Sequence, residues 1–275
     1  MGLVGDGALD PVLTRAGHAH RAALIGALCL LAPLLVPPRP AAASPPAAAS
    51  PPAAAPECPA VLSGATRLLA VATRGMGRAE GRARLFSRDA PGAAWHADGP
   101  AFPVSVGRNG LGWAWDQTAL AAGGEPVKRE GDGRTPAGVF AAGAPFGLAP
   151  RPVGGYLRID APRSACVDDT RSPHYNAIVD ADLVAPGHSF ERMWQIGLYR
   201  QGIVVAHATS AALGGGSCIF LHVWRAPGRP TAGCVAMAEA NVTRLQDAFD
   251  GRHAAIAIVP EGAAARLEGC GLPEP

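Results

Sequence analysis

Glycine and proline occur so often in this chain that few long regular elements can form. The 275 residues include 35 glycines and 27 prolines, and only 5% are aromatic. Frequent turn residues favour short strands and loops over long helices. With 48% hydrophobic residues the chain can still bury one sizeable core, with room for a small second unit. The net charge of +2 gives no indication of a nucleic-acid partner.

Short apolar runs recur between the turn-rich stretches. Some alternate in polarity and others are continuously apolar, and both patterns are typical of β-strands. The predicted strands are Arg67–Thr73, Arg82–Ser87, Ala101–Val106, Gly138–Ala142, Tyr156–Ile159, Gly202–His207, Ile219–Val223 and Ala254–Val259.

Two segments predict helices. Within Glu239–Asp250, Val242, Leu245 and Phe249 recur at helical spacing. A second, short helix is predicted around Ser189–Gly197. The sequence therefore predicts a mainly β domain with one or two helices packed outside it.

The N-terminal segment has the features of an export signal. Arg15 and Arg21 precede the apolar run Ala22–Val36, and Ala41–Ala43 offers small residues for cleavage. The run is short for a membrane span and is interrupted by Pro33. An uncleaved N-terminal anchor is the alternative. After cleavage we expect no stable membrane insertion.

A low-complexity segment follows the predicted signal. Ser44–Pro56 contains only serine, proline and alanine, a composition that buries no core and is typical of a semi-extended spacer. We therefore predict a signal peptide over residues 1–43, a linker over 44–56 and a folded domain over 57–275. The expected location is outside the cytoplasm, in the periplasm or cell envelope.

The cysteine count predicts one free thiol. Of the six cysteines, Cys29 leaves with the signal, and the five that remain are an odd number. Disulfides form in exported proteins. Cys58 and Cys270 bracket the domain and are one candidate pair, which leaves Cys166 and Cys218 as the second by elimination. The pairing stays open, because fifteen arrangements leave one cysteine free.

The residues best suited to chemistry lie within Gly214–Met237. An apolar strand carries His222, a loop rich in proline and glycine follows, and then come Thr231, Gly233 and Cys234. Cys234 fits the unpaired cysteine. A nucleophilic cysteine acts as a thiolate, and a neighbouring imidazole can take its proton to form an ion pair. Backbone N–H groups near Gly233 and Cys234 are candidate donors to an oxyanion.

Other interpretations of these residues stay open. A cysteine of an exported protein is commonly half of a disulfide, and a histidine on an apolar strand is commonly a hydrogen-bonded core residue. A zinc site formed by His207, His222 and Cys234 matches no common ligand spacing. For His207, at the end of a predicted strand, we expect a structural role.

The order of these motifs resembles the L,D-transpeptidase (YkuD-like) catalytic domain. That family has a histidine, a loop and then a Ser/Thr-His-Gly-Cys motif, to which Thr231–Cys234 (TAGC) is similar. Lys128–Phe140 (KREGDGRTPAGVF) resembles the family's Gly-Asp-Gly-x-Thr-Pro-x-Gly-x-Phe element. The resemblance covers roughly Thr66 to Pro260 and implies a β-sandwich-like fold of mixed sheets.

The resemblance also implies an activity. By position Cys234 matches the nucleophile, His222 its base, Thr231 the preceding hydroxyl residue and Gly233 the glycine that shapes the oxyanion site. The thiolate would attack a peptidoglycan stem peptide at the carbonyl before its terminal D-Ala, giving a thioester. An amine of a second stem then makes a cross-link, or water completes an L,D-carboxypeptidase reaction. Neither outcome requires a metal or organic cofactor.

The chain departs from the family pattern in ways that resemble a divergent branch. Ala232 occupies the position of a second histidine, and Val235–Met237 stands where many members have Ile-Arg. Arg225 and Arg229, between His222 and Cys234, are candidates to bind a substrate carboxylate in place of that arginine. These departures keep open a second function, a non-catalytic cell-wall binding domain. A general exported cysteine peptidase is a third alternative.

Further residues are candidates for the substrate cleft. Asp168 and Tyr175, in the polar stretch 166–176, can recognise the ionic ends of a peptide stem, although a solvated turn is the alternative. Trp224, next to His222, either walls the pocket or is simply a half-buried aromatic residue.

Overall fold

The apolar runs of the sequence fold as strands of a mixed β-sheet. A computed structural model describes residues 58–275, so the predicted signal peptide and linker, with Cys29, lie outside the described residues. The strands, in chain order, are β1 Arg67–Thr73, β2 Glu80–Ser87, β3 His96–Ala97, β4 Phe102–Ser105, β5 Leu111–Trp113, β6 Thr135–Gly147, β7 Leu157–Arg158, β8 Ser164–Val167, β9 Ile178–Asp180, β10 Phe190–Arg192, β11 Gln201–Ala206, β12 Phe220–Val223, β13 Val235–Met237 and β14 Ala254–Pro260.

Helices are few in the part of the chain that the structure describes. The α-helices are α1 Ala60–Gly64 and α2 Glu239–Phe249, and the second begins where the helical periodicity predicts. Short 3-10 segments complete the set: Trp115–Leu120, Ala181–Leu183, Met193–Gln195, Gly197–Arg200 and Ala263–Cys270. Within residues 58–275, no helix combines the length and the apolar character needed to cross a membrane.

The helix predicted around Ser189–Gly197 is wrong. This segment forms β10 followed by 3-10 turns, and β10 pairs with β8, a strand more than twenty residues earlier in the chain. Pairing with a distant segment decides the structure of such a short stretch, and its local helical pattern does not reveal that pairing.

Eight strands close into a ring, in the order β1-β14-β6-β11-β12-β13-β4-β2, because β2 also pairs with β1. The pairs β1–β14 and β12–β13 are parallel. The other pairs around the ring are antiparallel. The predicted mainly β fold with mixed strand directions and few helices is confirmed.

Aliphatic side chains fill the interior of this ring. β1 and β14, which are continuously apolar, are buried along almost their whole length. Helix α2 packs against β11 and β12 through its apolar face, on which Val242 and Leu245 are buried. Burial of each large aliphatic side chain stabilises the fold by about 1.5–3 kcal/mol relative to its exposure. The ring is therefore the rigid part that carries β12 and β13.

A smaller sheet, β10-β8-β9, is joined to the ring by a disulfide. Cys166 on β8 is bonded to Cys218, just before β12, with Cα atoms 6.0 Å apart. A second disulfide joins Cys58 to Cys270, with Cα atoms 5.3 Å apart. Among the described cysteines, Cys234 is the free thiol. The candidate pairing and the free cysteine predicted from the sequence are thus confirmed.

Candidate active site

Cys234 and His222 are brought together by two adjacent parallel strands. His222 lies on β12, Cys234 directly precedes β13, and the register aligns Leu221 with Val235 and His222 with Ala236. The loop between the strands returns the chain to the same end of the sheet, as a parallel pair requires. Both side chains line one cavity of about 460 Å³, whose other lining residues include Glu191, Tyr199, Arg225 and Thr231.

Thr231 and Gly233 shape the turn that ends at Cys234. The Thr231 hydroxyl donates to the carbonyl oxygen of Cys234 at 2.6 Å and accepts from the N–H of Gly233 at 3.1 Å. A Cβ atom at position 233 would lie 3.0 Å from Ile219 Cδ1 and 3.1 Å from the Arg134 carbonyl oxygen. Glycine therefore allows the turn to pack closely against its neighbours.

The upstream Gly-Asp-Gly segment braces this turn. Thr135, which is fully buried, accepts from the N–H of Gly107 at 2.8 Å and donates to the carbonyl oxygen of Cys234 at 3.3 Å. Asp132 holds the segment itself in shape, since its carboxylate accepts from Lys128 Nζ at 2.7 Å and from the N–H of Arg134 at 2.9 Å. The two motifs of the sequence thus meet at the backbone of Cys234.

The sulfur of Cys234 is nearly enclosed. The residue is 7% exposed, and its Sγ atom donates to the carbonyl oxygen of Cys218 and accepts from the N–H of Phe220, each at 3.3 Å. Burial raises the pKa of the Cys234 thiol to about 12, and the negative charge of Glu191 adds to this rise. The hydrogen bond from the Phe220 N–H lowers the pKa of the thiol, because it favours a negative sulfur.

His222 has one ring nitrogen committed to the backbone. Its Nδ1 atom lies 2.8 Å from the carbonyl oxygen of Val223. A carbonyl oxygen only accepts, so Nδ1 carries the proton and Nε2 keeps its lone pair. Burial lowers the pKa of His222 to about 4. At neutral pH the site therefore holds a neutral thiol and a neutral imidazole rather than an ion pair.

Glu191 and Tyr199 form a polar wall of the cavity that the sequence did not reveal. The Tyr199 hydroxyl donates to Glu191 Oε2 at 2.7 Å, and the tyrosine ring meets the His222 ring edge-on with centroids 5.3 Å apart. Burial raises the pKa of Glu191 to about 7, although the hydrogen bond from Tyr199 opposes the shift. Their approach to Cys234 depends on the pairing of β10 with β8, which no local pattern signals.

The predicted substrate-binding residues are divided between the cavity and its surroundings. Arg225 and Arg229 both line the cavity, and both are exposed to solvent. Trp224 is half-buried, and its backbone N–H donates to the Met237 carbonyl oxygen at 2.8 Å. Trp224 is not one of the described residues that line the cavity.

Asp168 and Tyr175 also lie outside this cavity. Asp168 accepts from the Ser189 hydroxyl at 2.5 Å, which ties β8 to the residue before β10. Tyr175 donates to Glu130 at 2.5 Å. Both residues therefore join polar groups of neighbouring segments in this structure.

His207 lies apart from Cys234. Its Nε2 atom is 3.0 Å from the Gly216 carbonyl oxygen, and its ring borders a separate, larger cavity of about 840 Å³. Within residues 58–275, no group of three or more His, Cys, Asp or Glu side chains is arranged to hold a metal ion.

One family model matches the chain. Residues 93–256, which are 164 of the 275, match the YkuD family, described as the L,D-transpeptidase catalytic domain. The match spans both sequence motifs, β12, β13 and the cavity-lining residues named above. No curated protein and no solved structure matches the chain.

Proposed function

The chain belongs to the YkuD family of L,D-transpeptidases, and from this we propose that it is a cysteine-dependent acyltransferase acting on peptidoglycan stem peptides. The observation that supports this most directly is the free thiol of Cys234 in one cavity with His222. A cavity of about 460 Å³ is also within the size range of small-molecule and peptide sites.

In the proposed first step, the Cys234 sulfur attacks the stem carbonyl that precedes the terminal D-Ala. Because thiol and imidazole are both neutral at rest, Nε2 of His222 takes the thiol proton while the carbon–sulfur bond forms. The tetrahedral intermediate then collapses, His222 returns the proton to the departing amine of D-Ala, and a thioester remains on Cys234.

Hydrogen-bond donors near the sulfur support this step. The Phe220 N–H stabilises negative charge on Sγ. Since the Gly233 N–H donates to Thr231, we propose the N–H of Cys234 itself as the donor to the oxyanion. In this proposal Thr231 and Gly233 act by shaping the turn, and the turn aims that donor.

Arg225 and Arg229, on the cavity rim, would bind a carboxylate of the stem in place of the arginine that many family members carry after the cysteine. Asp168, Tyr175 and Trp224 stay predicted contacts for parts of the substrate that extend beyond the cavity.

The two disulfides and the peptidoglycan-acting family together indicate a location outside the cytoplasm. We propose that residues 1–43 are a signal peptide, that residues 44–56 are a spacer and that the domain over 57–275 works in the periplasm or cell envelope.

Mass spectrometry of tetrapeptide muropeptides incubated with the purified protein tests the proposed activity. Loss of D-Ala with cross-linked dimers identifies a transpeptidase, and loss of D-Ala alone identifies a carboxypeptidase. Cys234→Ala should abolish both changes. His207→Gln, in a buried histidine that borders the other cavity, should retain them. Unchanged muropeptides with the wild-type protein, under reducing and oxidising conditions, would contradict catalysis on this substrate.

A non-catalytic cell-wall binding domain is the second candidate. Burial holds both Cys234 and His222 in their neutral forms, and Ala232 supplies no second imidazole, so the nucleophile is weakly activated at rest. If this candidate is correct, the wild-type protein binds purified peptidoglycan without forming a covalent adduct, and Cys234→Ala binds equally well.

A further inference from the structure

Glu191 is a carboxylate in the cavity that the attack of Cys234 on its substrate does not use. One carboxylate oxygen accepts from Tyr199, and Glu191 forms no ion pair with any described lysine, arginine or histidine. A half-buried acid without a countercharge in a cleft is a common feature of functional sites. Its free oxygen is available to a cationic group that enters the cavity.

The covalent structure holds Glu191 close to the nucleophile. Glu191 lies directly opposite Cys166 in the β10–β8 pair, so their side chains project from the same face of the small sheet. Cys166 is bonded to Cys218, whose carbonyl oxygen accepts from the Cys234 sulfur. The disulfide therefore ties the strand paired with Glu191 to the segment that contacts the thiol, and the hydrogen bond from Tyr199 also holds the carboxylate.

We propose that Glu191 binds the ammonium group of the acceptor amine and removes its proton in the second half of the reaction. The proposal rests on the proposed function and assigns a residue to the aminolysis of the thioester. Ala232 also lines this cavity, and it supplies a methyl group where many family members have a second histidine.

The Glu191 carboxylate takes one proton from the ammonium, and the resulting amine attacks the thioester carbonyl to form a carbon–nitrogen bond. Collapse of the tetrahedral intermediate breaks the carbon–sulfur bond and releases the Cys234 sulfur. The second proton lost by nitrogen passes to the Cys234–His222 pair. The products are an amide, a neutral Glu191 and the resting neutral thiol and imidazole.

The order of the two half-reactions suits this role. While Cys234 is a thiol that must become negative, an ionised Glu191 opposes the change, since its charge raises the pKa of the sulfur. Once the sulfur is part of a neutral thioester, that repulsion is gone. An ionised Glu191 therefore no longer opposes the reaction at the stage when a cationic acceptor enters.

The test separates acylation from aminolysis in the full-length protein. The donor is a tetrapeptide stem whose side-chain amine is acetylated, and the acceptor is a tripeptide stem with a free side-chain amine. Intact-protein mass spectrometry measures the adduct on Cys234, and chromatography measures the ratio of cross-linked to hydrolysed product. Glu191→Gln keeps the shape of the side chain but removes its charge. Glu239→Gln, in an exposed carboxylate on α2, is the matched control.

For Glu191→Gln we expect adduct formation within about threefold of wild type and a product ratio lowered about tenfold to a hundredfold, the value of one charge-assisted hydrogen bond. Glu239→Gln should match the wild type in both measurements. An unchanged product ratio, or an equal loss of acylation and aminolysis, would overturn the role of Glu191. Absence of a Cys234 adduct in the wild-type protein would instead overturn the proposed function.

A second measurement keeps the proposal testable if Glu191→Gln folds poorly. Hydroxylamine is uncharged at neutral pH and needs no partner for an ammonium group. Tyr199→Phe removes the hydrogen bond to Glu191 and leaves the aromatic ring in place. This variant should lose reactivity toward the tripeptide acceptor while retaining reactivity toward hydroxylamine. An equal loss with both nucleophiles would count against an ammonium-binding role.

Discussion

The two disulfides differ in a way that separates stability from the proposed chemistry. Cys58–Cys270 spans 212 residues and lies away from the cavity, whereas Cys166–Cys218 spans 52 and positions Glu191. Removing each bridge by a double alanine substitution should therefore have different consequences for folding and for product formation.

The expected losses of stability follow from the loop lengths. In the chain-entropy model, a disulfide lowers the entropy of the unfolded chain and so raises its free energy. The rise is about 5 kcal/mol for a closed loop of 212 residues and about 4 kcal/mol for one of 52 residues. We expect Cys58→Ala/Cys270→Ala to lose slightly more free energy of unfolding than Cys166→Ala/Cys218→Ala. Both are large fractions of the stability of an ordinary domain.

Urea titration of the purified variants, followed by tryptophan fluorescence, measures these losses. Product analysis is then done at low temperature on protein that is still folded. Only Cys166→Ala/Cys218→Ala should lower the ratio of cross-linked to hydrolysed product, and it should still form the Cys234 adduct. A larger loss of stability from the shorter loop would refute the entropy argument. A lower product ratio in the Cys58–Cys270 variant would refute the link between the inner bridge and Glu191.

Two further predictions concern the groups around Cys234. Thr135→Val leaves the buried N–H of Gly107 without an acceptor, so it should destabilise the fold by about 1–3 kcal/mol and slow adduct formation. Thr135→Ser, which keeps the hydroxyl, should retain the stability and the rate of adduct formation. Equal urea midpoints for the two variants would contradict the role of the hydroxyl. Because the pKa of His222 falls from about 6.5 to about 4 on folding, protonation opposes the folded state. Above about pH 6.5 the imidazole is neutral in both states and does not affect the stability, whereas a fall in pH to about 4 lowers the stability by about 3 kcal/mol. His222→Gln should flatten the unfolding free energy over that range, and an unchanged pH profile would contradict the burial argument.

Local patterns predicted the parts of the fold that depend on local sequence. Continuous apolar runs marked β1 and β14, and helical spacing marked α2 almost to the residue. Strand β13 was not predicted, because three residues are too few to show the alternation or the apolar run that is typical of a strand. The predicted pair of Cys234 and His222 lines one cavity because parallel pairing of β12 with β13 aligns their ends, a fact that spacing alone does not contain.

Glu191 shows why the remainder of the site was beyond the sequence. Nothing in Ser189–Gly197 distinguishes this carboxylate from a solvated one, and its segment was predicted as a helix. Its place depends on two long-range connections, the pairing with Cys166 and the disulfide from Cys166 to Cys218. Elimination offered Cys166–Cys218 as one candidate pairing among several, but only the strand register shows which residues that disulfide joins to the ring.

The residues of the candidate site belong to two structural units, the closed ring and the small sheet β10-β8-β9. The closed ring holds Cys234 and His222 through strand pairing and through the hydrogen bonds of the Cys234 carbonyl oxygen to Thr135 and Thr231, and none of these involves a disulfide residue. The small sheet carries Glu191 and is tied covalently to the ring by Cys166–Cys218. Under the proposed mechanism, loss of that bridge should impair the second half-reaction before the first. The protein would then continue to release D-Ala but would transfer the acyl group to water, so a change in the product, rather than simple inactivity, is the expected sign of reduction.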